Sequence, residues 1–272
     1  GVCDAAGKVG DVTLKDAAEL KAVPNREQAY IIRPVGQNRL VLTGLDERGV
    51  FYAVQTLRQL LESRFDKRTV TIPLVSVTDW PDMAQRGEWG GISWFPPDEM
   101  EWMARHKMNM VVYNVGFRIG EDGRGEVTDI YPERIASARR HAFKLVPFIT
   151  HYSILGEYTN LFEVYPHLNK GKVKFKGKVV RDLGEVDVKI VPCPSEPRMV
   201  EVLADFMGAM AEAGATEIDC WLTEGRRFQC PCDLCLGEGE NMHYALEARV
   251  FIKAWRIAQK QYPKLFVRIT LT

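Results

Sequence analysis

Between residues 109 and 115 the sequence reads NMVVYNV, a short and almost continuous apolar run. Runs of the same kind recur at 144–150 (KLVPFIT), 217–222 (EIDCWL) and 265–271 (LFVRITL). Each has strand length and is rich in β-branched and aromatic residues. Segments with apolar residues at helical spacing separate them: Pro132–Ala142, Glu196–Ala213 and Asn241–Gln261. Strands that are apolar on both faces and alternate with helices belong to a parallel sheet covered by helices. Toward the N-terminus, Pro97–His106 is a further helix, with Pro97 in its first turn and Asp98 and Glu99 at its positive end. Gln85–Gly90 is the strand before it. The fold class is therefore α/β, and five strands suit the first part of a (β/α)8 barrel of the TIM type. A complete barrel has eight strands and takes about 250 residues. Its remainder would lie beyond Thr272 or in a second chain; otherwise the sheet is open and doubly wound.

Residues 1–76 read as a separate small α/β domain, leaving 77–272 to the partial barrel. In it, Gln28–Arg33 and Arg39–Thr43 are strands flanking a turn at Gly36–Asn38. A helix, Gly49–Glu62, carries Val50, Phe51, Val54, Leu57, Leu60 and Leu61 at helical spacing. Thr69–Ile72 is a short third strand before Pro73. One stretch breaks the barrel rhythm. Residues 152–190 form an insertion between the third barrel strand and the next helix, and KVKFKGKVV (172–180) alternates like a hairpin arm. An insertion there sits on a strand-to-helix loop, and such loops build the active face of a barrel. Gly120–Gly125 (GEDGRG) lacks phosphate-loop spacing and reads as a flexible loop.

Thirty-six basic residues balance 36 acidic ones, so no net field draws in nucleic acid or an anionic membrane. No apolar run approaches the roughly 20 residues needed to span a bilayer. The composition is that of a soluble protein. No signal peptide is visible, and the start at Gly1 leaves room for an exported chain whose signal has been removed. Six tryptophans serve core packing and sugar stacking equally well.

Several longer stretches carry a resemblance. LDERGVFYAVQTL (45–57), Asp79-Trp80-Pro81 followed by Arg86-Gly87, MARHKMN (103–109) and Cys193-Pro194-Ser195 match, in order and spacing, segments of the family 20 glycoside hydrolases, the β-N-acetylhexosaminidases. The chain thus resembles that family's small domain and the first half of its catalytic barrel. The resemblance implies a glycoside hydrolase acting on a terminal β-linked sugar, an amino sugar or a related hexose. In that family a strand-end Asp-Glu pair does the chemistry. The glutamate protonates the glycosidic oxygen, and the aspartate orients the substrate's own 2-acetamido nucleophile. Here the stretch is Trp221-Leu222-Thr223-Glu224-Gly225: the glutamate is present and Thr223 stands where the aspartate would. A hydroxyl can hydrogen-bond an amide but cannot balance a developing positive charge.

Glu224 is thus the expected general acid, needing no cofactor for catalysis. Beside an aromatic such as Trp221, a carboxylic acid is favoured in its protonated form. The resemblance gives Arg86 the role of gripping sugar hydroxyls with its rigid donor fork; the plainer reading is a strand-end ion pair. Asn114 and His151 fall near strand ends, at the mouth of a barrel, as candidate hydroxyl partners, and Trp221 and Thr223 complete the expected carbohydrate site. The runner-up function is a non-catalytic carbohydrate-binding relative.

The family pattern does not call for Cys230, Cys232 and Cys235, which are spaced to wrap one tetrahedral ion. Cys193 is the preferred fourth ligand and His243 the alternative. The expectation is structural zinc; a local disulfide or free thiols are the competing readings.

Overall fold

The computed structural model describes residues 1–64, 66, 68–90, 97–175, 178–179, 190–224, 229–239 and 242–271. Contacts divide the chain into two compact units. One comprises Gly1–Glu88, Phe95–Met110 and Ser137–Lys144; the other comprises Trp89–Trp94, Val111–Ala136 and Leu145–Thr272.

The first unit opens with a small hairpin, β1 (Lys8–Val9) and β2 (Val12–Thr13), and a 3-10 turn at Lys15–Ala22. Next come β3 (Tyr30–Val35), β4 (Arg39–Gly44), the helix α1 (Glu47–Leu61) and β5 (Val77–Asp79). The three strands form an antiparallel sheet in the order β4-β3-β5. The Asp46 side chain starts α1 by accepting the Arg48 N–H at 3.0 Å. A side-chain carbon at Gly49 would lie 2.2 Å from the Ala29 carbonyl oxygen, so only glycine lets the helix approach the chain there. Tyr52 and Ala53 pack on Tyr30 and Ile32 to make the core beneath the helix.

The third strand is not the expected Thr69–Ile72. Backbone groups there are used locally: the Thr71 N–H bonds the Arg64 carbonyl, and Asp66 accepts from the N–H groups of Arg68 and Thr69. The edge falls to Val77–Asp79 instead.

From there strand and helix alternate. The strand β6 (Gly87–Gly90) precedes α2 (Pro97–Arg105) and β7 (Met110–Asn114). A hairpin follows, β8 (Gly116–Ile119) and β9 (Gly125–Thr128), then α3 (Pro132–Arg140) and β10 (Lys144–Ile149). The inserted segment contains two single-turn helices, α4 (Leu155–Tyr158) and α5 (Leu161–Val164), and a hairpin of β11 (Lys174–Phe175) and β12 (Lys178–Val179). The rest of the expected alternating arm lies outside the described residues. The chain continues through α6 (Pro197–Glu212), β13 (Glu217–Trp221), the short α7 (Asp233–Gly237), α8 (His243–Gln261) and β14 (Phe266–Thr270).

Five strands lie side by side in the order β6-β7-β10-β13-β14, the order of the chain itself. That choice matters. An open doubly wound sheet reverses direction at a switch point, whereas a barrel adds each strand beyond the last. The unreversed order is that of a partial TIM-type barrel. On β13 and β10, Ile218, Cys220 and Ile149 are fully buried. α6 and α8 pack on each other, and the buried residues of the two helices include Met199, Leu203, Phe206 and Met207 on one and Val250, Phe251 and Ala254 on the other. The GEDGRG stretch is no free loop but the tip of the β8–β9 hairpin, turned by Gly123 at φ 78°. No helix among the described residues is long and apolar enough to cross a membrane.

Candidate active site

Strand alternation sorts β13 into two faces. Ile218 and Cys220 make the apolar one. Glu217, Asp219 and Trp221 make the other, in register with Phe266, Arg268 and Thr270 of β14. On that face Arg268 pairs with Glu217, and the Thr270 hydroxyl donates to Asp219 at 2.6 Å. Burial pushes the Asp219 carboxyl up, with the Thr270 hydrogen bond opposing. Above this polar pair the surface turns aromatic. The Trp221 ring stacks on Trp89 of β6 at 4.8 Å between centroids and lies 5.4 Å from Phe148 of β10. Trp221 is buried, while Trp89 is 54% exposed, so one stacked indole presents a free face.

At the C-terminal ends of the strands this aromatic wall meets two titratable groups. His151, two residues past β10, sets its ring edge-on to Trp221 at 4.9 Å. Glu224, three residues past β13, places Oε1 3.2 Å from His151 Nε2. The contact is close enough for an ion pair when the ring is protonated, but it lies off the N–H direction and is not a hydrogen bond. The two side chains differ in depth: His151 is 21% exposed and Glu224 53%.

Thr223 faces the opposite way. It is buried, and its N–H and hydroxyl donate to the two oxygens of Glu247, at 2.8 and 2.6 Å. The same hydroxyl accepts the Ser153 N–H at 3.1 Å. One carboxyl group on α8 thereby ties together the turn after β10, which carries His151, and the end of β13, which carries Glu224. Burial raises the Glu247 carboxyl from 4.5 to about 8, with the two Thr223 hydrogen bonds pulling the other way. Thr223, expected to complete the carbohydrate site, has its only hydroxyl engaged in the interior. Glu247 itself escaped sequence reasoning. The available signal was its position, four residues from both His243 and Phe251 on the buried face of α8.

The remaining candidates fall elsewhere. Asn114 closes β7 at the same end of the sheet, half-buried. Arg86 sits just before β6, at its N-terminal end, where its guanidinium donates to the carbonyls of Lys107 (3.0 and 2.7 Å) and Met83 (2.6 Å). Its N–H is received by the Asn109 side-chain carbonyl at 2.9 Å, and the Asn109 amide donates to Gln28 and the Ala84 carbonyl. Nearby, Lys107 bridges Asp79 and the Tyr30 hydroxyl. Asp79, Arg86, Lys107 and Asn109, all within the stretches that carry the resemblance, thus form a structural network inside the first unit. The hydroxyl-gripping role expected of Arg86 finds its donor fork turned onto backbone.

Cys193, Cys230, Cys232 and Cys235 converge, with their four sulfurs all within 4.8 Å of one another and none in a disulfide. His243 is not among them. Around the sulfurs stand Val173, Val191 and Leu246. Hydrogen bonds from Cys193 and Cys230 hold the Cys235 thiol well below the usual range, and the Ser195 hydroxyl lies 3.1 Å from its sulfur.

Residues 4–80 match the family model described as glycosyl hydrolase family 20, domain 2. The fold is shared with the β-N-acetylhexosaminidase of Bacteroides fragilis, at 18% identity and a TM-score of 0.61, over 91% of this chain and 52% of that one. It is shared also with the family 20 β-N-acetylhexosaminidase of Streptomyces coelicolor (17% identity, TM-score 0.54, 91% and 52%). A third likeness is to a family 20 exo-β-N-acetylglucosaminidase of Vibrio harveyi (17%, 0.56, 89% and 43%). The chain spans about half the length of these structures. Residues 4–80 thus match domain 2 of that family, and the partial barrel behind them shares the fold of its solved structures.

Proposed function

We propose that the chain carries the first part of a glycoside hydrolase of the hexosaminidase kind, in which Glu224 is the general acid. The observation that carries this reading is the placement of Glu224 at the C-terminal end of β13, 3.2 Å from His151 and beside the Trp221–Trp89 stack. Barrel enzymes do their chemistry at that end. A glycosidic oxygen leaves as an alkoxide unless it receives a proton in the transition state, and a carboxylic acid within reach supplies it. His151 lies close enough to pair with the carboxylate when its ring is protonated, and the exposed face of Trp89 offers an apolar platform to a sugar ring.

The substrate is a terminal β-linked amino sugar or a related hexose. Thr223 is held by Glu247 and carries no charge, so a carboxylate that orients a 2-acetamido group is another residue, or the substrate lacks that group. In the complete protein, Glu224→Gln lowers turnover by about 10²–10⁴-fold on glycosides with poor leaving groups and far less on activated aryl glycosides. Near-normal turnover of a poor-leaving-group substrate refutes the assignment. The position of Thr223 favours one second reading, a carbohydrate-binding relative without catalysis. It predicts sugar binding by calorimetry with no hydrolysis in either the parent or the variant.

A further inference from the structure

We propose that Cys193, Cys230, Cys232 and Cys235 hold one structural zinc ion that clips the loop following Glu224 to the segment preceding α6. The argument begins with distance. Sulfurs at about 2.3 Å from a tetrahedral zinc stand about 3.8 Å apart. The Cys193 sulfur lies 3.6 Å from that of Cys232 and 3.9 Å from that of Cys235. Two segments far apart in sequence deliver these ligands, three from 230–235 and one from Cys193, and all four sulfurs fall within 4.8 Å of one another.

The donor set then selects the metal. Four thiolates exclude magnesium and calcium, which want oxygen, and leave zinc or iron as the tetrahedral occupants. Such sites bind Zn²⁺ more tightly than Fe²⁺. Four protein ligands close the coordination sphere, so the ion holds structure and activates no water.

The surroundings suit bound thiolates. The Ser195 N–H reaches the Cys193 sulfur and the Cys232 N–H reaches the Cys230 sulfur. The Ser195 hydroxyl faces Cys235 at 3.1 Å. Lys170 supplies a positive charge that Cys193 and Cys232 feel, while it pairs with Glu196 at 2.5 Å. Such outer partners orient ligands and tune the metal. Below the sulfurs, Gln229 donates to the carbonyls of Cys235 (2.6 Å) and Gly239 (2.8 Å), fixing both ends of the cysteine loop. Without a cation, the same arrangement crowds four sulfurs into an apolar pocket lined by Val173, Val191 and Leu246.

The test measures metal, not turnover. The full chain, purified without chelator, is analysed for zinc and iron by plasma mass spectrometry. Its thiols are titrated with a mercurial while the released ion is followed with a colorimetric chelator. One zinc per chain, released together with four newly reactive thiols, supports the site. Exchange with Co²⁺ should then give the intense thiolate charge-transfer band and the visible bands of a tetrahedral cobalt site. Cys232→Ser, at the half-buried ligand, should weaken zinc binding at least tenfold, whereas Cys3→Ala, in the first unit, should leave zinc content unchanged. Substoichiometric zinc near background, iron in its place, or a disulfide among the four found by mass spectrometry of the native protein would each overturn the proposal. These readouts are independent of Glu224, so the site can fail without touching the proposed function, and the reverse.

Discussion

Replacing Glu247 with glutamine should change how stability depends on pH more than it changes the fold. The amide oxygen can accept the Thr223 N–H, and the amide nitrogen can donate to the Thr223 hydroxyl, so both contacts at 2.8 and 2.6 Å have replacements. What disappears is the proton. Glu247 is buried, and its carboxyl is raised from 4.5 to about 8. Between those values the folded chain keeps the proton and the unfolded chain has released it, so the folded state binds more protons and stability must fall as pH rises. The stabilising proton is fully effective below about pH 4.5 and lost through about pH 8. At about 1.4 kcal/mol per pH unit, the window of roughly 3.5 units corresponds to a loss on the order of 4–5 kcal/mol. Glutamine has no such slope. The assay is urea denaturation followed by tryptophan fluorescence, for parent and Glu247→Gln, in steps from about pH 4.5 to about pH 9. The difference in unfolding free energy between variant and parent should grow in the variant's favour by more than about 1 kcal/mol per pH unit through the middle of that range. Parallel stability curves for the two proteins would refute the burial argument. Glu247→Ala should destabilise at every pH, by about 2–5 kcal/mol, because it strands the Thr223 N–H and hydroxyl without acceptors and opens a cavity.

Two further outcomes test the frame and the aromatic wall. Gly49→Ala should destabilise the first unit by about 1–3 kcal/mol in chemical denaturation, since the added carbon meets the Ala29 carbonyl oxygen at 2.2 Å; an unchanged midpoint would deny the close approach. Trp89→Ala in the complete protein removes an exposed stacking face at little cost in stability and should weaken sugar binding by about 2–10-fold, with calorimetry as the readout; unchanged affinity would remove Trp89 from the site.

Three of the barrel strands were legible because they are buried on both faces. NMVVYNV, KLVPFIT and EIDCWL can satisfy their apolar residues only between neighbouring strands and covering helices, whereas LFVRITL, half-exposed at the sheet edge, was legible from its apolar, β-branched composition; each became a sheet strand within a residue or two. The short elements escaped for the opposite reason. Hairpins such as Lys8–Val9 with Val12–Thr13 bury little, so their pairing leaves almost no hydrophobic pattern. Thr69–Ile72 has strand composition, yet Asp66 turns the chain beside it and consumes its partners locally. At the site, His151, Trp221 and Glu224 were readable as strand-end positions, and their contact follows from parallel strands ending at one edge. Trp89 and Phe148 were not readable as members. Their contribution depends on which strands neighbour β13 and in what register.

Position 223 shows why a residue cannot be judged apart from its partner. Taken alone, a threonine in place of the family's aspartate looks like a lost charge. In the folded chain its hydroxyl gives a hydrogen bond to Glu247 and receives one from Ser153, and its backbone N–H completes the grip on the same carboxyl. An aspartate at this position would bring a second carboxyl within hydrogen-bonding distance of a buried glutamate. Two such groups cannot both ionise in a dry interior, so at least one would hold a proton. An ionised aspartate there would have no proton to give to Glu247. Thr223 and Glu247 are therefore chemically matched, donor to acceptor, and the match fixes the backbone from which Glu224 projects. The interior on this side of β13 holds the end of the strand still, while Trp221, Trp89 and Phe148 stack on one another on the opposite face, where Trp89 is the exposed member of the three.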